Sequence, residues 1–248
     1  MARLVQLTDL HLTARGDGRV FGSDVWANLD RALAHVATLG DVARLVLTGD
    51  LANSGAAAAY ARLAERLAPW RDRLRIVPGN HDHRERLRAA FPELWPTDAP
   101  RLVVADDVGG VRWFGLDSLC DGRTRGRLDP WQIGWLRGQL AAWPGPYALF
   151  LHHPPLRVGT WWLDKDLLRD RDALGDCLAP RPPLAIFTGH VHQLAEGVFA
   201  GAPVHTTPAV AYQYGVRAWL PLPVARTPAL RILEVTAGQL ASEVRRLS

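Results

Sequence analysis

The 248 residues are 48% hydrophobic and 22% charged, with a formal net charge of +4, a make-up that fits a globular chain and excludes a disordered or fibrous one. No run approaches the roughly 20 apolar residues of a membrane-spanning helix, so no membrane partner is expected. Basic residues exceed acidic ones only by 29 to 25, and because the arginines are spread along the chain, no nucleic-acid groove is expected either.

Cys120 and Cys177 are the only cysteines. They form neither a disulfide framework nor a thiolate zinc motif, which points to a reducing compartment. The chain enters LVQLTDLHL at once, without a basic segment and apolar leader, so a cytoplasmic location is expected. A single domain over residues 1–248 suits the length.

In chain order, residues 4–7 read as a strand and 8–21 as a glycine-bearing loop. Val25, Leu29, Leu33 and Val36 then repeat at helical spacing until Gly40-Asp41. A strand at 43–47 follows. After a turn through Asn53, Ser54 and Gly55 comes a helix with Tyr60, Leu63, Ala64 and Leu67 on its buried side, stopped by Pro69. A strand at 74–77 runs into Pro78-Gly79-Asn80, and a short helix covers 83–91. This alternation predicts an α/β core with a site at the carboxyl ends of its strands.

The middle of the chain changes character. Residues 101–105 and 111–116 read as paired antiparallel strands joined by a turn at 106–110. Pro130 opens a helix marked by Ile133, Leu136 and Leu140. A strand at 147–151 follows, then a loop at 154–163 containing Trp161 and Trp162, and a helix at 167–178. Strand 184–188 precedes short strand candidates at 194–199, 204–207, 231–235 and 240–247. Those sequential strands predict a second sheet facing the first, α+β in part.

Side chains with ligand chemistry recur where these strands end: Asp9 and His11, Asp50, Asn80 with His81 and Asp82, His152, and His190 with His192. In extended backbone, residues i and i+2 share a face, so each Asp9/His11 and His190/His192 pair is expected to converge. Two carboxylates, one amide and four imidazoles are too many donors for one tetrahedral ion and suit two ions with a shared carboxylate. The thiol-free set favours manganese, iron, zinc or cobalt, including mixed iron and manganese pairs. Two such ions about 3.5–4 Å apart can ionise a bridging water and screen charge that develops on a bound substrate. His35, His83 and His205 read as ordinary structural histidines, and His153 either as support for His152 or as plain structure.

The ordered motifs DLH at 9–11, GD at 49–50, GNHD at 79–82, HHP at 152–154 and GHVH at 189–192 resemble those of the calcineurin-like metallophosphoesterases. The resemblance covers roughly residues 3–240. It implies a four-layer αββα sandwich of two mixed sheets flanked by helices. It implies one metal held by Asp9, His11, Asp50 and His192, and a second held by Asp50, Asn80, His152 and His190. His81 matches the histidine that faces the phosphoryl group and leaving oxygen, and Asp82 the carboxylate that orients it; Asp82 also stands where it can cap the following helix. Family members often dimerise, and the apolar stretch 218–224 is a candidate contact.

Within the family, segments 16–22, 49–55, 152–164 and 206–214 resemble bacterial class III cyclic-nucleotide phosphodiesterases. Many members carry an aspartate where this chain has Asn53. Trp161 and Trp162 depart from the pattern and read either as stacking on a base or closing a pocket, or as packing of a loop or a dimer contact; Asn80, His81 and His192 join them as candidate substrate contacts. The expectation is a dinuclear phosphodiesterase that hydrolyses 3′,5′-cyclic nucleotides, with cAMP foremost. Alternatives are a glycerophosphodiester phosphodiesterase, a broad phosphomono- and diesterase, a nuclease or nucleic-acid-binding protein, and a metal-bound scaffold without turnover.

Overall fold

The computed structural model describes residues 1–217 and 219–247. Its strands are β1 (Ala2–Leu7), β2 (Arg19–Val20), β3 (Ser23–Asp24), β4 (Val42–Thr48), β5 (Leu74–Val77), β6 (Val104–Val108), β7 (Val111–Leu116), β8 (Tyr147–Leu151), β9 (Ile186–Thr188), β10 (Glu196–Phe199), β11 (Ala202–Thr206), β12 (Gln213–Tyr214), β13 (Pro223–Ala225), β14 (Ala229–Thr236) and β15 (Gln239–Arg246). Its α-helices are α1 (Val25–Thr38), α2 (Ala57–Leu67), α3 (Arg84–Ala90), α4 (Pro130–Ala142) and α5 (Arg171–Leu178). No helix among the described residues is long and apolar enough to cross a membrane.

Two mixed sheets form the body, in the orders β15-β14-β1-β4-β5 and β10-β11-β9-β8-β7-β6. Parallel β1, β4 and β5 carry the first sheet, and parallel β7, β8, β9 and β11 the second. Strand alternation sorts side chains to two faces. In β8, Tyr147, Leu149 and Leu151 pack with α4 and α5, while Ala148 and Phe150 join Leu4, Val46, Trp113, Phe187 and Leu233 between the sheets. On the far side, Leu45 and Leu47 meet Leu29, Val36, Tyr60 and Leu63 of α1 and α2. Three apolar layers therefore separate four structural ones, the expected sandwich of two sheets flanked by helices. Each large side chain buried in these layers contributes about 1.5–3 kcal/mol.

Helix starts follow local chemistry. Asp24 accepts from the backbone N–H of Ala27 and Asp129 from that of Gln132, and Pro130 fills the first turn of α4. Asp106 of β6 ties the sheets together at one edge, pairing with Arg44 of β4 at 2.5 Å and Arg75 of β5 at 2.8 Å.

Several elements depart from the expected pattern. The strand expected at 101–105 runs instead over Val104–Val108, because the two arginines from the facing sheet neutralise Asp106 inside the strand and the turn contracts to Gly109-Gly110. The helix expected from 167 begins at Arg171, since Leu167 packs into a small cluster with Leu163 and Val191. The last two strands do not extend the second sheet. β14 pairs antiparallel with β1 and β15 with β14, which completes the first sheet. Of the stretch 218–224, Ala218 lies outside the described residues, and Trp219, Leu220, Leu222 and Val224 are 58–83% exposed.

Candidate metal centre

The carboxyl ends of β1, β4, β5, β8 and β9 meet at one place, and the chain immediately after each carries the expected donors. The local geometry differs from strand alternation. Asp9, His11, Asp50, His190 and His192 all lie beyond their strands in left-handed backbone, with φ of 53°, 46°, 52°, 70° and 49°. Asp and His tolerate this region better than most residues, and each such residue still carries about 1–3 kcal/mol of strain that its surroundings must hold. The loops are zipped together to do so. Asp9 N–H donates to Gly49 O at 3.0 Å, His11 N–H to Asp50 O at 2.9 Å and Leu12 N–H to Leu51 O at 2.9 Å. Glycines permit the close approach: a Cβ at Gly79 would lie 2.3 Å from Asp50 Oδ1, and one at Gly189 would lie 2.6 Å from Asp9 Oδ2.

Folding thus brings six of the expected side chains into overlapping groups whose donor atoms lie within 4.8 Å of one another. Asp9, His11 and His192 form one group, Asp9, Asp50 and His152 a second, and His11, Asp50 and His81 a third. His190 and His192 do not face a single point; His190 groups with His152 and His153 instead. Asp50 sits centrally, with Oδ2 at 3.3 Å from His152 Nε2 and 3.6 Å from His11 Nε2, while Oδ1 accepts from His81 N–H at 2.8 Å. Asp9 Oδ1 lies 3.3 Å from His192 Nε2, and the Asp9 carboxylate accepts from Thr8 Oγ1 and His190 N–H.

Each ring is fixed through its other nitrogen. His11 Nδ1 faces Asn53 Oδ1 at 3.2 Å, His152 Nδ1 faces Thr48 O at 2.7 Å, and His192 Nδ1 faces Tyr212 O at 2.8 Å. An oxygen acceptor there places the proton on Nδ1 and leaves Nε2 as a lone pair. Consequently the Nε2 atoms of His11 and His192, 3.1 Å apart, oppose lone pair to lone pair. Buried Asn80 Oδ1, His152 Nε2 and His190 Nε2 have no hydrogen-bond partner. Unpartnered acceptors beside two buried carboxylates are what a pair of cations would satisfy, so the residues fit a dinuclear centre.

Burial holds the His11 and His190 rings down to a pKa of about 3, in the neutral form that binds metal. For His152, burial is outweighed by Asp50, and without a cation its pKa is pushed up to about 9, so a metal bound at Nε2 would displace a proton there. Burial also opposes ionisation of Asp9 and Asp50, yet His192 beside Asp9 and His152 beside Asp50 hold both carboxyls below the usual range.

Asp82 does not orient the His81 ring as the resemblance implied. The His81 ring is set by Asn53, whose carbonyl faces Nδ1 at 2.7 Å. Burial works against its charged form, but Asp50, that carbonyl and Asp82 prevail and raise its pKa. Asp82 makes no hydrogen bond to the ring and does not cap α3. Its carboxylate gathers the N–H groups of Leu51, Ala52 and Gly79 and the hydroxyl of Tyr60, locking the loops after β4 and β5 together. Both nitrogens of His153 are engaged, Nδ1 with Ser118 Oγ and Nε2 with Thr124 O, so it supports the centre and offers no free donor.

A cleft of about 520 Å3 opens over His81, lined by Thr13, Arg19, Val20, Phe21, Asn53, Tyr212 and Tyr214. Sequence reasoning placed Tyr60 on the buried side of its helix and Tyr212 and Tyr214 within the segment 206–214, but gave none of the three a part at the site, because their partners there belong to other segments. Trp161 and Trp162 do not line this cleft. Trp161 lies outside it under Lys165 Nζ, and Trp162 packs edge-on behind Tyr214 at 4.8 Å.

A sequence model described as calcineurin-like phosphoesterase matches residues 2–194. The chain belongs to that family. It is 32% identical over 252 residues to the 3′,5′-cyclic adenosine monophosphate phosphodiesterase CpdA of Escherichia coli K12, covering 99% of this chain and 90% of that one. It is 35% identical over 219 residues to a cAMP/cGMP dual specificity phosphodiesterase of Mycobacterium tuberculosis, covering 84% and 67%. Identity is 30% over 197 residues to a probable glycerophosphodiester phosphodiesterase of Arcobacter nitrofigilis, covering 77% and 72%. Among solved structures, the purple acid phosphatase PPD1 of yellow lupin superposes with a TM-score of 0.72 at 13% identity, covering 99% of this chain and 51% of that one. That likeness concerns the fold. This calcineurin-like chain is a metallophosphoesterase related to bacterial cyclic-nucleotide phosphodiesterases.

Proposed function

We propose that this chain is a dinuclear phosphodiesterase of 3′,5′-cyclic nucleotides, cAMP foremost. The observation that carries the reading is Asp50, which belongs to two donor groups at once, in a chain similar over nearly its whole length to a 3′,5′-cyclic AMP phosphodiesterase. Asp9, His11, Asp50 and His192 would hold one ion, and Asp50, Asn80, His152 and His190 the other. Manganese, iron or zinc suits this nitrogen and oxygen set. A bound pair supplies Lewis acidity and activated water.

The chain's own residues do the rest. Asn53 O holds the Nδ1 proton of His81, which turns Nε2 toward the cleft. Burial opposes the charged ring, but Asp50, Asn53 O and Asp82 raise its pKa, which favours the form that can donate. When water adds to phosphorus and the bond to the ribose 3′-oxygen breaks, His81 Nε2 passes its proton to the departing oxygen. Phe21, Tyr212 and Tyr214 supply aromatic walls for the nucleoside.

Chromatographic analysis of products from cAMP, 2′,3′-cyclic nucleotides, glycerophosphodiesters and monoesters tests the reading. 5′-AMP released from cAMP faster than any other product supports it. A preference for glycerophosphodiesters replaces it with the second reading, which the Arcobacter nitrofigilis relative favours.

A further inference from the structure

Three arginines close together in sequence meet a fourth in the fold. Arg123, Arg125 and Arg127 from the segment before α4, and Arg169 from the segment before α5, line a concavity of about 460 Å3 with Cys120, Gly126 and Asp170. Neighbouring arginines are occupied, Arg84 by Asp117 and Asp121 and Arg101 by Asp129. Among the described residues the guanidinium groups of Arg123, Arg125, Arg127 and Arg169 have no partner. The one carboxylate in the lining, Asp170, accepts from Leu128 N–H at 3.1 Å. Four guanidiniums against one carboxylate leave an excess of three positive charges at a concave surface, where their mutual repulsion is unfavourable until an anion offsets it.

The walls are held rather than loose. Thr124 O meets His153 Nε2 at 3.0 Å, and Thr124 Oγ1 donates to Asp166 at 2.7 Å. Gly126 N–H donates to Leu167 O, and Arg169 N–H to Gly126 O. A Cβ at Gly126 would lie 2.5 Å from the His153 ring, so the segment packs directly on that histidine. The held backbone presents four arginine forks to one concavity; such forks match the oxygen geometry of phosphoryl groups, and the volume is that of a small-molecule site.

We propose that this cleft is an anion site separate from the metal centre, and that it takes a small ligand bearing two or more phosphoryl groups. The probe is inorganic pyrophosphate, titrated calorimetrically into metal-loaded enzyme. Chelation of the metal by pyrophosphate is common to wild type and the arginine variants and cancels between them; in Asn80→Ala only the event weakened by the arginine substitutions is read. Arg125→Ala/Arg169→Ala is expected to weaken one binding event about tenfold or more, while Asn80→Ala retains it. Should the double variant melt early, Arg123→Gln, which alters an exposed side chain, is read in its place with the same expectation. Equal binding by wild type and arginine variants overturns the proposal, as does loss in Asn80→Ala alone, which would place pyrophosphate at the metal centre. Tighter binding of a single-stranded oligonucleotide through the same arginines overturns the small-ligand assignment.

Discussion

The side-chain oxygen of Asn53 stands 3.2 Å from Nδ1 of His11. The same residue's carbonyl fixes His81 at 2.7 Å, so one position after β4 orients both a candidate ligand and the candidate proton donor. Asn53→Ala keeps the carbonyl and frees only the His11 ring. The expected result is a loss of about 10–100-fold in metal affinity or turnover, with Asn53→Asp, which restores an acceptor, near wild type. Unchanged turnover and metal content in Asn53→Ala would count against the orienting role.

Asp50→Ala removes the carboxylate shared by two donor groups, and Asn80→Ala removes an amide oxygen that is buried without a partner. Both variants are expected to lose most turnover of an aryl phosphodiester, about 100-fold or more, and elemental analysis is expected to show less metal in each. Metal-depleted wild type should be inactive, and its melting temperature should rise when ions are restored. Full turnover without metal would sink the dinuclear reading.

Tyr60 donates to Asp82 at 2.9 Å and accepts from His83 N–H at 2.9 Å. Tyr60→Phe strips both bonds from a buried junction and is expected to cost about 1–3 kcal/mol in urea unfolding. A stability equal to wild type would show that the junction is held by the backbone donors alone.

Asp106 titrates below its ordinary value because, although partial burial opposes ionisation, Arg44 and Arg75 outweigh it. A carboxyl with a depressed folded pKa contributes stability above its unfolded value, near pH 4, and that contribution fades as pH falls through the folded value. Asp106→Asn should therefore lose about 1 kcal/mol at neutral pH, discounted for its partial exposure, and should narrow toward wild type in acid. Parallel stability curves from pH 7 to pH 2 would contradict this clamp between the sheets.

The donors were legible because each follows an apolar strand, and strand ends in a parallel sheet converge whatever the details of the turns. Their backbone was not legible: i and i+2 alternation gives the same pairing of Asp9 with His11 as the left-handed turns do, but those turns part His190 from His192 and send it to His152 and His153. The role of Asp82 was also hidden, because its partners Leu51, Ala52 and Tyr60 belong to a different segment. The membership of β14 and β15 was lost for a related reason. Hydrophobic pattern reports which face of a strand is buried and says nothing of which sheet receives it. Likewise, the spread of arginines along the whole chain hid the gathering of Arg123, Arg125 and Arg127 with Arg169 at one cleft.

Because β14 pairs with β1, a strand made early waits for one made far later. During synthesis, residues 2–7 have one edge uncovered until residues 229–236 clear the ribosome, and the pairing closes a loop of nearly the whole chain. Long closures of this kind slow folding and prolong exposure of strand edges. A chain interrupted before β14 would leave its amino-terminal strand open to pairing with a neighbour, so stalled or nicked forms of this protein are expected to be the ones that aggregate.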